Sequence, residues 1–321
     1  MKKKFTLVLC LVLAAFLGLS LASGCARKQA ATDYAATDKP MAAYDNGWYA
    51  VYKITDNIYA IGEPLYFQAN YSYLVIGEER ALMLDSTASI TRNVVPVIRT
   101  LTDKPLAVMP THMHFDHIGG LHNFDEIWFA NTPIIASFKQ ADGKYFIPPS
   151  HSLSFIDNYK IDDIPTVTVS RLVDLGEVID LGGTKLRVMH APGHCQDEIV
   201  VYDETDNILF SGDYICPPFL INGNAAEYAA STDRVLGLIN DKTLILAGHT
   251  SDKTPSLVPV LRKSDVLDLK NFLAKLQNKE LTGEIISDEV YKIKSAKAYE
   301  VNDRIGLVDE IVWENGTAYN Y

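Results

Sequence analysis

The chain has 321 residues, of which 48% are hydrophobic and 21% are charged, and its formal net charge is −11. This composition excludes a disordered chain and is typical of one large or two small folded domains with a proper core. The acidic balance repels phosphate backbones, so we predict that nucleic acid is not a partner.

The first residues have the pattern of an export signal. Lysines at positions 2–4 precede an apolar run over residues 5–21, and the small-residue sequence LASGC follows it. A basic start, an apolar run on the short side for a membrane span and small residues before a cut site are typical of a signal peptide. We therefore predict a signal peptide over residues 1–24, with an uncleaved membrane anchor as the alternative.

The sequence LASGC resembles the bacterial lipobox, in which the cysteine is lipidated and becomes the new N-terminus. It departs from the usual pattern at Ala22, a position where Leu is more frequent. The resemblance implies that lipidated Cys25 anchors an extracytoplasmic protein to a bacterial membrane. Residues 25–46 are small and polar, which predicts a flexible tether before the folded part.

Strand patterns dominate the rest of the chain. Runs rich in β-branched and aromatic residues, with turn residues between them, predict strands. The predicted strands lie within 48–63, 71–87, 105–112, 166–173, 176–194, 198–213 and 242–249. Residues 281–321 are interpreted as a C-terminal extension that packs on this domain and holds a further strand within 304–313.

Helical patterns are fewer. Apolar spacing predicts a helix over residues 225–240 and an amphipathic helix over residues 264–278, with Ser264 as its N-cap. A short helix within residues 90–103 is expected to start late or to kink, because Pro96 lacks a backbone N–H. Strands with helices on both sides of them indicate an α/β layered fold.

The sequence THMHFDH, residues 111–117, is the strongest chemical signal in the chain. On an extended segment residues i and i+2 point the same way, so His112 and His114 can bind one metal ion together. Asp116 and His117 follow in the turn, where they can reach a second ion nearby. Imidazole and carboxylate ligands together favour zinc, with iron and manganese as alternatives.

Three further polar residues share one local setting. His194, Asp213 and His249 each follow an apolar strand and stand next to a glycine, in the sequences APGH, SGD and AGH. Glycine lets the backbone approach closely, and the ends of strands hold side chains rigidly. We therefore predict that these residues complete the metal site.

The sequences THMHFDH, APGH, SGD and AGH, in this order, resemble the metallo-β-lactamase fold superfamily over about residues 50–280. The resemblance implies a four-layer αββα sandwich over residues 47–280, with two mixed sheets packed face to face and helices outside. It also implies two zinc ions and their ligands: His112, His114 and His194 for one ion, Asp116, His117 and His249 for the other, and Asp213 as the bridge.

The resemblance also implies a hydrolytic mechanism. A metal-bridging hydroxide would attack the substrate, because two cations lower the pKa of the water between them. Asp116 would orient this hydroxide and is the predicted catalytic residue. Asp85 resembles the family's acid that holds a ligand loop in place, although it could instead only cap a turn.

The substrate class follows from two positions. Asp213 stands where the common zinc β-lactamases have cysteine, as in the thioesterase, lactonase and phosphodiesterase branches. His114 stands where the diiron flavoproteins have glutamate. We therefore predict a dinuclear hydrolase of a small ester, lactone or thioester-like substrate. The alternatives are a mononuclear iron oxidoreductase of the sulfur dioxygenase type and a non-enzymatic metal-binding lipoprotein.

Two loops are expected to set the specificity. Residues 140–165 could form an aromatic lid over the site, and His151 in this loop could line a pocket. Residues 214–224 form the other expected wall, in which Tyr214 could donate a hydrogen bond to a substrate oxygen.

Two cysteines remain besides Cys10 in the predicted signal peptide and Cys25 at the predicted lipidation site. Cys195 and Cys216 could form a disulfide in an oxidising compartment or could be two buried free thiols. Cys216 could alternatively be an additional soft metal ligand.

Overall fold

The computed structural model describes residues 39–156, 166–250 and 257–316. The predicted signal peptide, Cys25 and most of the predicted tether lie outside these residues. Among the residues in these three ranges, no helix combines the length and the apolar character needed to cross a membrane.

The described residues form many strands, four short α-helices and two longer ones. The strands are β1 (Ala42–Tyr44), β2 (Tyr49–Lys53), β3 (Ile58–Gly62), β4 (Tyr71–Ile76), β5 (Ala81–Leu84), β6 (Leu106–Met109), β7 (Trp128–Ala130), β8 (Arg171–Val173), β9 (Val178–Asp180), β10 (Lys185–His190), β11 (Ile199–Asp203), β12 (Ile208–Gly212), β13 (Phe219–Ile221), β14 (Leu244–Ala247), β15 (Val260–Leu261), β16 (Glu284–Asp288), β17 (Ile293–Glu300) and β18 (Gly306–Trp313). The α-helices are α1 (Val95–Ile98), α2 (Phe115–Ile118), α3 (Pro133–Ser137), α4 (Pro149–Ser152), α5 (Ala225–Leu238) and α6 (Lys263–Gln277).

Two six-stranded mixed sheets form the centre of the fold. The first has the strand order β1-β2-β3-β4-β5-β6, and the second has the order β15-β14-β12-β11-β10-β9. Only β5–β6 in the first sheet and β12–β14 in the second pair in parallel. Strand β1 lies within residues 25–46, so the tether predicted there extends too far, because Ala42–Tyr44 pair with β2.

The main core lies between these two sheets. The rings of Tyr73 on β4 and Phe210 on β12 have centroids 5.4 Å apart, and the Tyr73 hydroxyl donates to the Ala247 carbonyl at 2.7 Å. Val97 and Ile98 of α1 pack on the outer face of the first sheet. Helices α5 and α6 pack on the outer face of the second sheet. This is the predicted sandwich of two mixed sheets with helices outside.

The C-terminal residues form a third sheet with part of the preceding chain. Its strand order is β13-β18-β17-β16, and β13 runs parallel to β18. An apolar cluster that includes Phe115, Ile311 and Trp313 joins this sheet to the rest of the fold. The C-terminal strands are therefore joined to the segment that follows Asp213, because β13 in that segment pairs with β18.

The helices agree with the sequence patterns except at one cap. Helix α1 begins at Val95 with Pro96 in its first turn, which matches the expected late start. Helix α6 begins one residue before the predicted N-cap Ser264. Its N-cap is Arg262, because the Asp265 carboxylate accepts the Arg262 backbone N–H at 2.8 Å.

Candidate metal centre

The predicted ligands meet at one edge of the sandwich. They lie in the segments that follow four strands, β6, β10, β12 and β14, at the carboxyl end of each. Helix α2 is a single turn that carries Asp116 and His117 directly after His114. The fold thus brings together side chains that are more than a hundred residues apart in the chain.

Three imidazoles form the first part of the cluster. His114 Nδ1 lies 2.9 Å from His194 Nε2, and the His112 ring centroid lies 4.5 Å from that of His114. All three side chains are nearly fully buried. The Cys195 thiol belongs to the same group, whose ligand atoms all lie within 4.8 Å of one another.

Asp116, His117 and His249 form the second part. His249 Nε2 lies 3.2 Å from Asp116 Oδ2 and 3.4 Å from His117 Nε2. Their ligand atoms also lie within 4.8 Å of one another. One carboxylate and two imidazoles therefore converge beside the first group.

Asp213 lies between the two parts. Its Oδ2 is 3.1 Å from His249 Nε2 and 3.7 Å from His194 Nε2, while its Oδ1 is 3.4 Å from His117 Nε2. The structure thus brings all seven predicted ligands together, with this aspartate in the shared position.

The residues of the cluster fit metal ions. His112 Nε2 and Asp213 Oδ1 are buried and have no hydrogen-bond partner among the described residues. Buried polar atoms are otherwise nearly always paired, and both atom types are common ligands of zinc. A cation between these atoms would supply the missing interaction.

The electrostatics differ between the two parts of the cluster. Burial holds the pKa of His112 and His114 well below the usual value, so both imidazoles are neutral and ready to bind metal. Burial also disfavours the charged form of His249, but the Asp213 and Asp116 carboxylates outweigh it and raise the pKa of His249 to about 10. Without a metal, a protonated imidazole therefore compensates the two carboxylates.

Asp85 supports the loop that carries the histidines. One carboxylate oxygen accepts the Thr111 backbone N–H at 2.7 Å, and the other lies 3.0 Å from His117 Nδ1. The contact with His117 fits the predicted role of a supporting acid, because it orients an imidazole of the cluster.

Sequence reasoning missed three further polar residues that contact this loop. Asp197 accepts the Met113 backbone N–H at 2.7 Å and lies 2.8 Å from His151 Nε2. Glu198 lies 3.4 Å from His112 Nδ1. The available signal was an acidic pair directly before the buried strand β11.

Asn70 is the third of these residues. Its side-chain amide donates to the Asp116 backbone carbonyl and to Asp116 Oδ2, both at 3.0 Å. Nothing in the local sequence indicates this contact, because Asn70 is 46 residues from Asp116.

The glycines beside the ligands are required by close packing. A Cβ on Gly248 would lie 2.6 Å from Asp213 Oδ1 and 2.9 Å from His117 Cε1. Gly212 has a φ of 51°, which favours glycine, and a Cβ there would lie 2.5 Å from Thr111 Oγ1. The glycines in SGD and AGH therefore let the two strand ends approach the histidine loop.

Two sequence predictions near Asp213 are wrong. Tyr214 is fully buried, and its hydroxyl donates to Thr232 Oγ1 at 3.0 Å, so it faces helix α5 instead of a substrate. Cys216 is not part of any group of described residues that could hold a metal, whereas Cys195 is. Both cysteines are buried free thiols, so the alternative without a disulfide describes the structure.

Only part of the segment predicted to form an aromatic lid lines the cavity at the cluster. Tyr145 is buried in the apolar cluster on the outer face of the first sheet, and His151 is buried against Asp197. Leu153 and Ile156 do line a cavity at the cluster. Tyr159 of the predicted lid lies outside the described residues.

An open cavity adjoins the cluster. Predicted ligands form one end of it, and the remaining wall is mostly apolar. The residues that line it are Gln68, His114, Phe115, Asp116, Leu153, Ile156, His194, Asp213, Pro218, Phe219, Ile221, His249 and Tyr291. A small molecule that enters this cavity would meet the cluster.

The fold and the cluster define a class of metal-binding hydrolases, and sequence comparison agrees. A family model of the metallo-beta-lactamase superfamily matches residues 65–249, so the chain belongs to this superfamily.

Two groups of relatives are similar to most of the domain. An acyl-coenzyme A thioesterase MBLAC2 from Gallus gallus is 30% identical over 229 residues, which are 63% of this chain and 80% of the relative. A hydroxyacylglutathione hydrolase from Prochlorococcus marinus (strain MIT 9301) is 30% identical over 210 residues, which are 62% and 75% of the two chains.

Solved structures share the fold. A metallo-beta-lactamase from Pontibacter korlensis aligns with a TM-score of 0.51 at 19% identity and covers 72% of this chain and 99% of its own. The BLEG-1 B3 metallo-beta-lactamase aligns with the same TM-score at 20% identity and covers 66% and 98%.

Proposed function

We propose that this protein is a dinuclear metal-dependent hydrolase that cleaves a thioester or a closely related ester or lactone of a small molecule. The observation that carries the proposal is the position of Asp213 between two sets of buried ligands at one end of an apolar cavity. The names of the thioesterase and hydroxyacylglutathione hydrolase relatives favour the thioester among these substrates.

The proposed cofactor is a pair of zinc ions, with iron or manganese as alternatives. The proposed ligands are His112, His114 and His194 for one ion, Asp116, His117 and His249 for the other, and Asp213 for both. When bound, the ions would activate a water molecule and polarise the oxygen of the substrate carbonyl.

The chain's own residues would position the reactants. Asp116 is the proposed catalytic residue, because its Oδ2 faces His249 and is held by the Asn70 amide at 3.0 Å. A carboxylate fixed in this way can orient the attacking water and carry a proton to the leaving group. Asp85 would hold His117 in the orientation that a ligand needs.

Metal analysis and a substrate panel test the proposal. We expect about two zinc ions per chain and turnover of thioesters within a panel that also holds lactones, β-lactams and phosphodiesters. The double substitution His114→Ala and Asp116→Ala should abolish turnover and leave the protein folded. His122→Ala is the matched control, because this histidine is exposed and lies outside the cluster. Unaltered turnover in the double variant contradicts the assignment.

The same measurement separates the alternatives. One iron per chain together with oxygen consumption would replace the hydrolase by the mononuclear oxidoreductase. Bound metal without turnover of any substrate in the panel would favour the non-enzymatic metal-binding lipoprotein.

We also propose that the chain is exported and anchored to a bacterial membrane through lipidated Cys25, on the support of its N-terminal sequence. Cys25→Ser should move the protein from the membrane fraction to the aqueous fraction of its host cells. Cys10→Ser is the matched control, since Cys10 lies within the predicted signal peptide. Equal membrane fractions for both variants would contradict the anchor.

A further inference from the structure

The cavity beside the metal cluster has two chemically different ends. The predicted ligands occupy one end, and Leu153, Ile156, Phe219, Ile221 and Tyr291 form much of the other. Among the described residues no lysine or arginine lines it, and the acidic residues that do line it are both predicted ligands. A substrate group that occupies the far end is therefore uncharged and apolar.

The third sheet supplies one wall of the apolar end. Phe219 and Ile221 are two residues apart on β13 and point the same way, into the cavity. Leu220 between them points the opposite way and packs in the core beneath helices α5 and α6. Strand β13 is held in this orientation by parallel pairing with β18.

This wall lies partly beyond the segment that matches the superfamily. Residues 65–249 carry the match, whereas β18 and Tyr291 lie after it. The predicted ligands all lie within the matched segment. Of the residues at the apolar end, Tyr291 thus lies outside the matched segment, as does strand β18, which pairs with β13.

A row of aromatic rings leads from the cavity to the surface. The ring centroids of Phe219 and Tyr291 are 5.3 Å apart, and those of Tyr291 and Phe67 are 5.9 Å apart. Phe67 is 38% exposed. Leu65, two residues before Phe67, is 63% exposed, and Val290, directly before Tyr291, is 52% exposed. The apolar surface therefore continues from the metal cluster to solvent.

We propose that the apolar end of this cavity binds the acyl chain of the substrate and that β13 and Tyr291 determine the preferred length of that chain. This inference rests on the proposed hydrolase function. In the reaction, the oxygen of water forms a bond to the acyl carbon and the carbon–sulfur bond breaks. One proton of the water goes to the sulfur and the other is released to solvent, so the products are a carboxylate, a thiol and a proton.

The contribution of the cavity follows from burial of the chain. Each methylene that moves from water into an apolar site improves binding about fourfold. The same gain applies to the transition state, so kcat/KM should rise about fourfold for each added methylene that the cavity can bury.

A series of linear thioesters with acetyl, butanoyl, hexanoyl and octanoyl groups on one thiol tests this in the metal-loaded protein. We expect kcat/KM to increase along the series. Ile221→Trp fills the apolar end of the cavity and should lower kcat/KM at least about tenfold more for hexanoyl and octanoyl than for acetyl. Ile285→Trp is the matched control, because Ile285 is 73% exposed on the same sheet.

A binding measurement separates the cavity from the chemistry. Titration calorimetry of butanol, hexanol and octanol with the full chain should give affinities that rise about fourfold per methylene, and Ile221→Trp should remove this rise. Hydrolysis of all thioesters with equal kcat/KM, together with alkanol binding that is independent of length, would overturn the inference and leave the hydrolase function intact. Length-dependent alkanol binding without any thioester turnover would instead contradict the proposed reaction and support the apolar site.

Discussion

The substitution Asp85→Asn tests how the cluster of predicted metal ligands is held. Asp85 has a φ of 62°, and asparagine adopts this left-handed conformation readily, so the backbone can stay unchanged. The amide oxygen of Asn can still accept the Thr111 backbone N–H, which Asp85 Oδ1 accepts at 2.7 Å. The change is confined to the second oxygen, which lies 3.0 Å from His117 Nδ1 and is replaced by an NH₂ donor.

The replaced oxygen determines where His117 carries its proton. The carboxylate favours the tautomer with the proton on Nδ1, which leaves Nε2 free to bind metal. The Asn amide donates instead of accepting, so it favours the tautomer with the proton on Nε2. Nε2 is the atom that faces His249 and Asp213 in the cluster.

The expected loss of metal affinity can be estimated from similar contacts in other metal sites. Removal of a partner that orients a ligand lowers metal affinity about 10–100-fold, which corresponds to about 1.4–2.7 kcal/mol. We expect this loss for one of two ions, the one that His117 would bind. The ion of the other histidine set should be affected less, because the Asp85 carboxylate contacts Thr111 and His117.

Competition with a chelator at constant pH measures both affinities. Asp125→Asn is the control, since it makes the same substitution at an exposed carboxylate. Two metal ions bound by Asp85→Asn as tightly as by the unchanged protein would refute the reasoning. Asp85 would then only cap the turn before the histidine loop.

Three further outcomes follow from the same geometry. Gly248→Ala places a Cβ 2.6 Å from a predicted ligand oxygen, so it should reduce the metal content and destabilise the protein by about 1–3 kcal/mol in urea unfolding. Its control Gly237→Ala has open space on an exposed part of α5 and should stabilise by about 0.5–1 kcal/mol; equal effects would contradict the packing argument. Asp197→Asn weakens the support of the Met113 N–H between two predicted ligands and should lower affinity for one ion about tenfold in chelator competition, whereas unchanged affinity would assign Asp197 to the fold alone. Because the pKa of His249 is raised to about 10 in the folded protein, protonation of this imidazole stabilises the metal-free fold. This contribution is complete below pH 6.5 and is lost as the pH rises through about 10. Metal binding at neutral pH should therefore release a proton, which calorimetry in buffers of different ionisation enthalpy detects, and the absence of release would contradict a protonated His249.

Much of the architecture could be predicted from local patterns. Strand segments such as 198–213 and 242–249 contain the alternation and the turn residues that backbone geometry requires, and β11, β12 and β14 lie within them. The boundary of the tether was wrong, because edge strand β1 is stabilised by pairing with β2 and not by its own small residues. The cap of α6 was wrong by two residues, because Asp265 binds the Arg262 N–H.

The residues that contact the predicted ligands could not be predicted from local sequence. Asn70 reaches Asp116 across 46 residues of chain, and Asp197 reaches Met113 across 84. A local pattern carries no information on such pairs, because their approach depends on how the two sheets pack. The prediction that Tyr214 contacts the substrate was wrong for the same reason, because its hydroxyl is directed towards Thr232 on α5.

The sequence by itself determined which residues are the candidate ligands. The spacing of His112 and His114 directs both to one side of an extended segment. The sequence also shows a glycine directly before Asp213 and before His249. Only the tertiary structure decided what surrounds the cluster. The apolar end of the cavity is built where β13 pairs with β18, so its shape depends on contacts between segments more than eighty residues apart.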